Sequence, residues 1–210
     1  VRKINKGIEP EALTRWKRLN STLRYRDLPV EESRSIRSAC ISEQYGLCAY
    51  CCQAITIDDA HNEHIEAQDR AQNRTLDLSN IIASCQRSHQ CGHGRGTRAL
   101  PLTPLMDECE TELKFYLSGL VKGHTDRANT SIEALNLGHT EESNRGLVGA
   151  RKTLVDALIY TQNLPPDELQ NEDEDFLGLL LEDLQTPDAG RLQPFSPVLV
   201  NVIRHLLARP

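Results

Sequence analysis

The sequence predicts an α+β chain, mainly α-helical, with a small β-containing centre rich in cysteine and histidine. Three observations carry this. Five of the seven cysteines and four of the seven histidines fall between Cys48 and Gly96. Apolar residues recur at helical spacing on both sides of that segment. Within it, Ala54-Ile55-Thr56-Ile57 alternates like a strand and ends in the turn signal Asp58-Asp59.

Taken in order, residues 11–20 and 30–45 read as helices. Glu9-Pro10-Glu11 places a proline and acids at a first turn, and Ile36, Cys40 and Ile41 recur at helical spacing. Residues 48–57 suit a short hairpin. Residues 77–88 have helical potential that ends near Cys91-Gly92, and the chain beyond Leu100 is mostly helical. Residues 108–122 line Leu113, Tyr116, Leu117, Leu120 and Val121 along one face, with Gly123 as the stop. Helices over 128–137 and 147–160 follow, and Pro165-Pro166 breaks the path. Residues 168–184 mix leucines with the acids Glu168, Glu172, Asp173, Glu174, Asp175, Glu182 and Asp183, and 198–208 are apolar along one stripe. Both stripes suit core packing and partner docking equally. Three regions result: a basic helical one over 1–45, a cysteine- and histidine-rich core over 46–100, and an acidic helical one over 101–210.

The whole chain carries a net charge of −6, which by itself argues against a nucleic-acid binder, but the charge is divided. Residues 1–100 are net +3 and residues 101–210 net −9, and the first forty hold 10 Lys/Arg against 5 acids, including Arg15, Lys17, Arg18, Arg24 and Arg26. A basic flank of this kind is a candidate surface for backbone phosphates. No stretch approaches the ~20 apolar residues of a membrane span, so no membrane partner is expected.

Cys48-x2-Cys51 is a tight-turn pair of the kind that gives two ligands to a structural Zn²⁺, and Cys85 with Cys91 forms a second, wider pair. Cys48, Cys51, Cys85 and Cys91 are the expected set, with His89 or Cys52 able to replace one member. A disulfide framework fits less well, because the cysteine count is odd and Val1-Arg2-Lys3-Ile4-Asn5-Lys6 contains no apolar secretory stretch. Thiolates on zinc in a reducing cytoplasm are expected instead.

Between and after the thiol pairs stand Glu63-His64, Asn80 and His93, then Arg95 between glycines. Phosphodiester hydrolysis needs a base for water, a divalent cation for a phosphate oxygen and a positive group for the phosphate. Here His64 suits the base, Glu63 a hard cation, and Arg95 the phosphate, with glycine-flanked backbone able to approach it.

Four stretches resemble the HNH endonuclease superfamily. They are Gln44-Tyr45-Gly46-Leu47-Cys48-Ala49-Tyr50-Cys51, Asn62-Glu63-His64-Ile65, Leu76-Asp77-Leu78-Ser79-Asn80-Ile81-Ile82-Ala83-Ser84-Cys85 and Cys91-Gly92-His93-Gly94-Arg95-Gly96. More narrowly, Lys6-Gly7-Ile8-Glu9-Pro10, Glu43-Gln44 and Gln68 resemble the PtuB family of HNH nucleases from Septu-type bacterial anti-phage systems, over residues 1–150. The resemblance implies a ββα-metal (His-Me finger) core with a structural zinc site, flanked by helices. It implies His64 as general base, Glu63 and His93 as ligands of a catalytic Mg²⁺ or Mn²⁺, and Asn80 orienting the histidine or approaching the metal. Ala67 stands where the narrower family often has Pro. Gly92 follows the fourth cysteine where many HNH proteins carry Asn or His, which moves the last catalytic position to His93, with His89 as the alternative. The implied partners are nucleic acid, DNA favoured over RNA, and a PtuA-like ATPase. In retron-associated systems they extend to a reverse transcriptase and its DNA–RNA. The competing expectations are an RNA- or tRNA-cleaving effector of a retron-type system and an inactive zinc-stabilised binding module.

Overall fold

Prolines stand directly before the first two helices, where a fixed φ and a missing N–H cost nothing, and acids in the first turn favour the positive helix end. In the computed structural model, which describes residues 1–208 and is about 47% helical, these are α1 (Glu11–Leu19) after Pro10 and α2 (Val30–Glu43) after Pro29. Leu13 and Trp16 of α1 and Ile36 and Cys40 of α2 point into the core.

Helix α2 lies against the first of two antiparallel sheets, formed by β1 (Ala60–His64) and β2 (Ile81–Cys85). His64 pairs with Ile81 and Ala60 with Cys85. The helix expected over 77–88 is therefore replaced by a strand. Every residue of Ile81-Ile82-Ala83-Ser84-Cys85 is buried, and a short run apolar on both faces has no periodicity to separate a central strand from a helix. Only its start is helical, a single turn over Leu78–Asn80 opened by Asp77, whose carboxylate accepts from the Ser79 N–H.

The hairpin expected over 48–57 narrows to a knuckle closed by one bridge between Leu47 and Ala54, with the Cys48 N–H donating to Gln53 O at 2.8 Å. The segment that resembles the narrower family has structural work here. Lys6 donates to Glu43 at 2.5 Å and to Ile81 O at 2.8 Å, and the Gly7 N–H donates to Glu43 at 2.9 Å. Gln44 grips β2 by its open side: its Oε1 accepts from the Ala83 N–H at 2.7 Å, and its Nε2 donates to Ala83 O at 2.8 Å.

After the one-turn helix α3 (Cys91–Arg95), a second difference appears. The helix expected over 108–122 is a 3-10 turn (Asp107–Glu110) followed by a hairpin of β3 (Leu113–Phe115) and β4 (Val121–Gly123). Leu113, Phe115 and Val121 alternate inward, and the Phe115 N–H donates to the buried Asn201 side chain. Gly119 takes φ +86°, and a Cβ there would lie 2.3 Å from Val148 O, so this turn requires glycine.

Helices α4 (Asp126–Leu135), α5 (Arg145–Tyr160), α6 (Glu174–Gln185) and α7 (Ser196–Leu207) complete the chain. The expected helix over 168–184 is divided, because Asp173 caps α6 by accepting from the Phe176 N–H and ends the preceding 3-10 turn Pro166–Asn171. Buried apolar side chains form one continuous cluster from Val1 to Ile203, so the three sequence regions pack as one body. The apolar stripe of α7 is internal, with every residue from Ser196 to Ile203 buried. The segment before it backs the knuckle: the Phe195 N–H donates to Cys52 O at 2.9 Å, and Arg191 donates to Ile55 O at 2.9 Å. No helix among the described residues is long and apolar enough to cross a membrane.

Candidate metal centre and active site

The knuckle, the end of β2 and the start of α3 bring Cys48, Cys51, Cys85 and Cys91 together, all four buried and with every Sγ within 4.8 Å of the others. The Cys85 N–H donates to Cys48 Sγ at 3.3 Å, and Gln90 Nε2 lies 3.8 and 3.9 Å from the sulfurs of Cys85 and Cys91. Mutual hydrogen bonding pushes the Cys85 thiol far down, while burial pushes Cys51 and Cys91 well up. Four sulfurs this close cannot all ionise in an apolar interior unless a cation sits among them, so the donor set fits a tetrahedral metal such as zinc. Neither expected substitute joins it. Cys52 turns away at φ +64°, and His89 is exposed, with its carbonyl accepting from Asn136 Nδ2. Cys40 and Cys109 are ordinary buried thiols, pushed up to about 11 and about 12 by burial.

Helix α3 packs against β2, and its Gly92 faces side chains of β1. Alternation along β1 puts His61 and Glu63 on the face toward Gly92 and Asn62 and His64 on the other. Above Gly92 two donors converge: a Cβ on that residue would lie 2.6 Å from Glu63 Oε2 and 2.7 Å from His61 Nε2. These atoms are 3.4 Å apart. Metal–ligand bonds of ~2.1 Å put neighbouring ligands about that far from each other, so the hollow left by the missing side chain suits a shared cation. The His93 ring stands 4.5 Å from the His61 ring, and the enclosed Nδ1 of His61 has no partner. The structure places His61, which sequence reasoning missed, between Glu63 and the exposed His93: its Nε2 is 3.4 Å from Glu63 Oε2 and its ring 4.5 Å from that of His93. The signal for His61 was the i, i+2 spacing to Glu63, readable only once 60–64 is known to be a strand.

Arg95 differs from expectation. It is 2% exposed and donates to Glu63 Oε1 and His64 O, both at 2.8 Å, to Ile65 O at 2.6 Å and to Arg98 O at 2.7 Å. This is a buried clamp that holds one oxygen of Glu63 and the end of β1, in place of the free phosphate fork that the flanking glycines suggested.

On the opposite face, His64 is 7% exposed, with Tyr25 edge-on to its ring at 4.6 Å. Thr75 O can only accept, so the 2.8 Å contact assigns the proton to His64 Nε2 and leaves the lone pair on Nδ1, 3.4 Å from Gln68 Nε2. Burial lowers the pKa of the imidazole from its ordinary value, which favours the neutral form that can take a proton. All polar atoms of the Asn80 amide meet backbone: Oδ1 accepts from the Glu66 N–H at 2.8 Å, and Nδ2 donates to Glu66 O at 3.1 Å and Arg74 O at 3.3 Å. Asn80 thereby fixes the loop whose Thr75 carbonyl holds His64, and it reaches the histidine only through that loop.

A cavity of about 450 Å³ opens beside Asn80 and Arg95, with Arg70 and Arg74 in its wall. Of the basic N-terminal residues, Arg15, Arg18, Arg24 and Arg26 are exposed, whereas Lys17 is held by Glu9 at 2.6 Å and by Leu76 O. Comparison with known protein families finds no family that matches the chain, and no curated protein matches it.

Proposed function

We propose that the chain is a metal-dependent nuclease of the HNH type, hydrolysing phosphodiester bonds with DNA favoured over RNA, and that the thiol cluster holds its structural zinc. The observation that supports this most is the hollow over Gly92, where His61 Nε2 and Glu63 Oε2 converge on one face of β1, with the buried His64 next in the chain on the other face. A divalent Mg²⁺ or Mn²⁺ there would supply positive charge to a phosphate oxygen. His61 and Glu63, with His93 beside them, would hold it; Arg95 fixes Glu63 so that Oε2 faces the hollow, and His64 Nδ1 would take the proton of the attacking water. Arg70, in the wall of the adjacent cavity, replaces Arg95 as the place for a phosphate, since Arg74 beside it is held by Glu66 and Asp77. The order strand, strand, helix through β1, β2 and α3 agrees with the ββα-metal arrangement that the sequence resemblance implies.

The resemblance also motivates a PtuA-like ATPase partner and a role in anti-phage defence. The exposed acids of α6, Glu174, Asp175, Glu182 and Asp183, flank Leu179, which is 68% exposed, and offer a face for it. A second reading, a zinc-stabilised binding module without activity, draws on the Arg95–Glu63 pairing, which already neutralises the carboxylate. Incubation of the purified protein with Mg²⁺ or Mn²⁺ and either DNA or RNA, with and without the ATPase, separates the readings; no cleavage under any of these conditions favours the module.

Gly92→Ala tests the hollow directly. Alanine is a better helix former than glycine by about 1 kcal/mol, so α3 keeps its fold. The added methyl nevertheless collides with both donors. The variant is expected to retain zinc and melting temperature while losing Mn²⁺ binding and cleavage together; unchanged Mn²⁺ affinity by calorimetry contradicts the assignment. A second test concerns the basic flank. Neutralising Arg15, Arg18 and Arg24 is expected to weaken nucleic-acid binding and lower the slope of log affinity against log salt by up to about 0.9 for each phosphate that is no longer neutralised. An unchanged slope places the phosphate surface elsewhere.

A further inference from the structure

Arg151, on α5, is 0% exposed. A guanidinium does not give up its proton in a protein, and a buried charge needs a counter-charge. Its hydrogen bonds are made to neutral groups: Nη1 donates to Gly119 O at 2.5 Å and Nη2 to Leu137 O at 3.1 Å, while the enclosed Nε has no partner. The Phe115 and Phe195 rings lie 5.0 and 6.0 Å from it, and no carboxylate pairs with it among the described residues.

We propose that Arg151 is a counter-charge of a metal-loaded tetrathiolate, offsetting one unit of the net double negative charge that four ionised cysteines leave around a divalent cation. The Phe195 ring rests by the guanidinium, and its N–H donates to Cys52 O at 2.9 Å, within the knuckle. At the start of the same helix, the cap residue Asn144 donates to Gln90 Oε1 at 3.2 Å, and the other end of that amide faces the sulfurs of Cys85 and Cys91. The positive end of α5 therefore also meets the cluster through one side chain. Burial acts against the charge of Arg151, and Cys51, Cys52 and Cys91 are the groups whose negative charge acts in its favour. Four protonated thiols would leave a buried cation facing no anion. This inference rests on the zinc reading and adds that the acidic C-terminal region supplies a balancing charge.

The test compares Arg151→Gln, which removes the charge but can still donate to a carbonyl, with Arg151→Lys, which keeps the charge and loses the planar fork. The rate at which a colorimetric chelator strips zinc is measured, and the thiolate-to-metal absorption of the cobalt-loaded protein reports the same site independently of activity. The Gln variant is expected to release metal about 10–100-fold faster than wild type, the range seen when groups that support a metal site are removed, with the Lys variant close to wild type. Equal release by both variants, or a Gln variant that holds metal as wild type does, overturns the proposal. Should the Gln variant not fold, the Lys variant decides. A lowered melting temperature with wild-type metal release supports the charge, and metal release accelerated beyond about tenfold overturns it. A wild-type chain that carries no metal overturns the zinc reading itself, before any variant is made.

Discussion

Cys85→Ser is expected to cost the chain its cooperative fold, as is prolonged exposure to a strong chelator. Structural zinc in thiolate sites carries about 10–16 kcal/mol of apparent binding free energy, whereas a folded domain is stable by only about 5–15 kcal/mol in total. The four sulfurs join three pieces of structure: the knuckle, the end of β2 and the one-turn helix α3. Cys85 sits on the buried strand against Ala60, so losing a metal bond there would also loosen the β1–β2 pairing that carries Glu63 and His64. Elemental analysis should find one zinc per chain. Circular dichroism should show a lowered and broadened melt once it is removed. A metal-free protein that melts like wild type would show that the thiol cluster is no structural centre.

Removal of the proposed base is the second large effect. Replacing His64 should lower strand cleavage by about 10²–10⁴-fold, the usual worth of a positioned general base. Alanine is a poor choice, because His64 is enclosed beside Tyr25 and its Nε2 satisfies Thr75 O, so truncation leaves a buried carbonyl without its donor at a cost of about 1–3 kcal/mol. His64→Gln retains an N–H for Thr75, and the expected outcome is loss of cleavage with zinc content and melting temperature nearly unchanged. Near wild-type cleavage by that variant rules His64 out as the base. Loss of zinc along with activity would mean that the histidine supports the architecture.

The thiol set was legible because its members are chemically unusual and lie in short-spaced pairs; the alternatives Cys52 and His89 were separated from it only by geometry, one turning away and the other remaining on the surface. The first two helices announced themselves through Pro10 and Pro29 with acids behind them. What failed to show was whatever depended on remote contacts. Ile81–Cys85 became a strand because β1 and Gln44 supply partners on its two sides. Leu113–Phe115 became a strand because Asn201, 86 positions later, takes the Phe115 N–H. The site followed the same rule. Glu63 and His64 are adjacent in sequence yet sit on opposite faces of β1, and the role of Arg95 depended on whether it was buried, which its glycine neighbours did not reveal.

The backing of the knuckle by Arg191 and Phe195 has a meaning in time. Arg191 reaches Gly46 O across 145 positions of sequence, so the outer wall of the thiol cluster is made from a part of the chain that leaves the ribosome long after the cysteines do. At translation speeds of roughly 5–20 residues per second, the interval is on the order of 7–30 s. During that interval the thiols are exposed on a growing chain, open to oxidation and to the wrong metal. The outer wall of the donor set closes only once Arg191 and Phe195 have been made, so a chain stopped before them is expected to hold its four sulfurs without that wall.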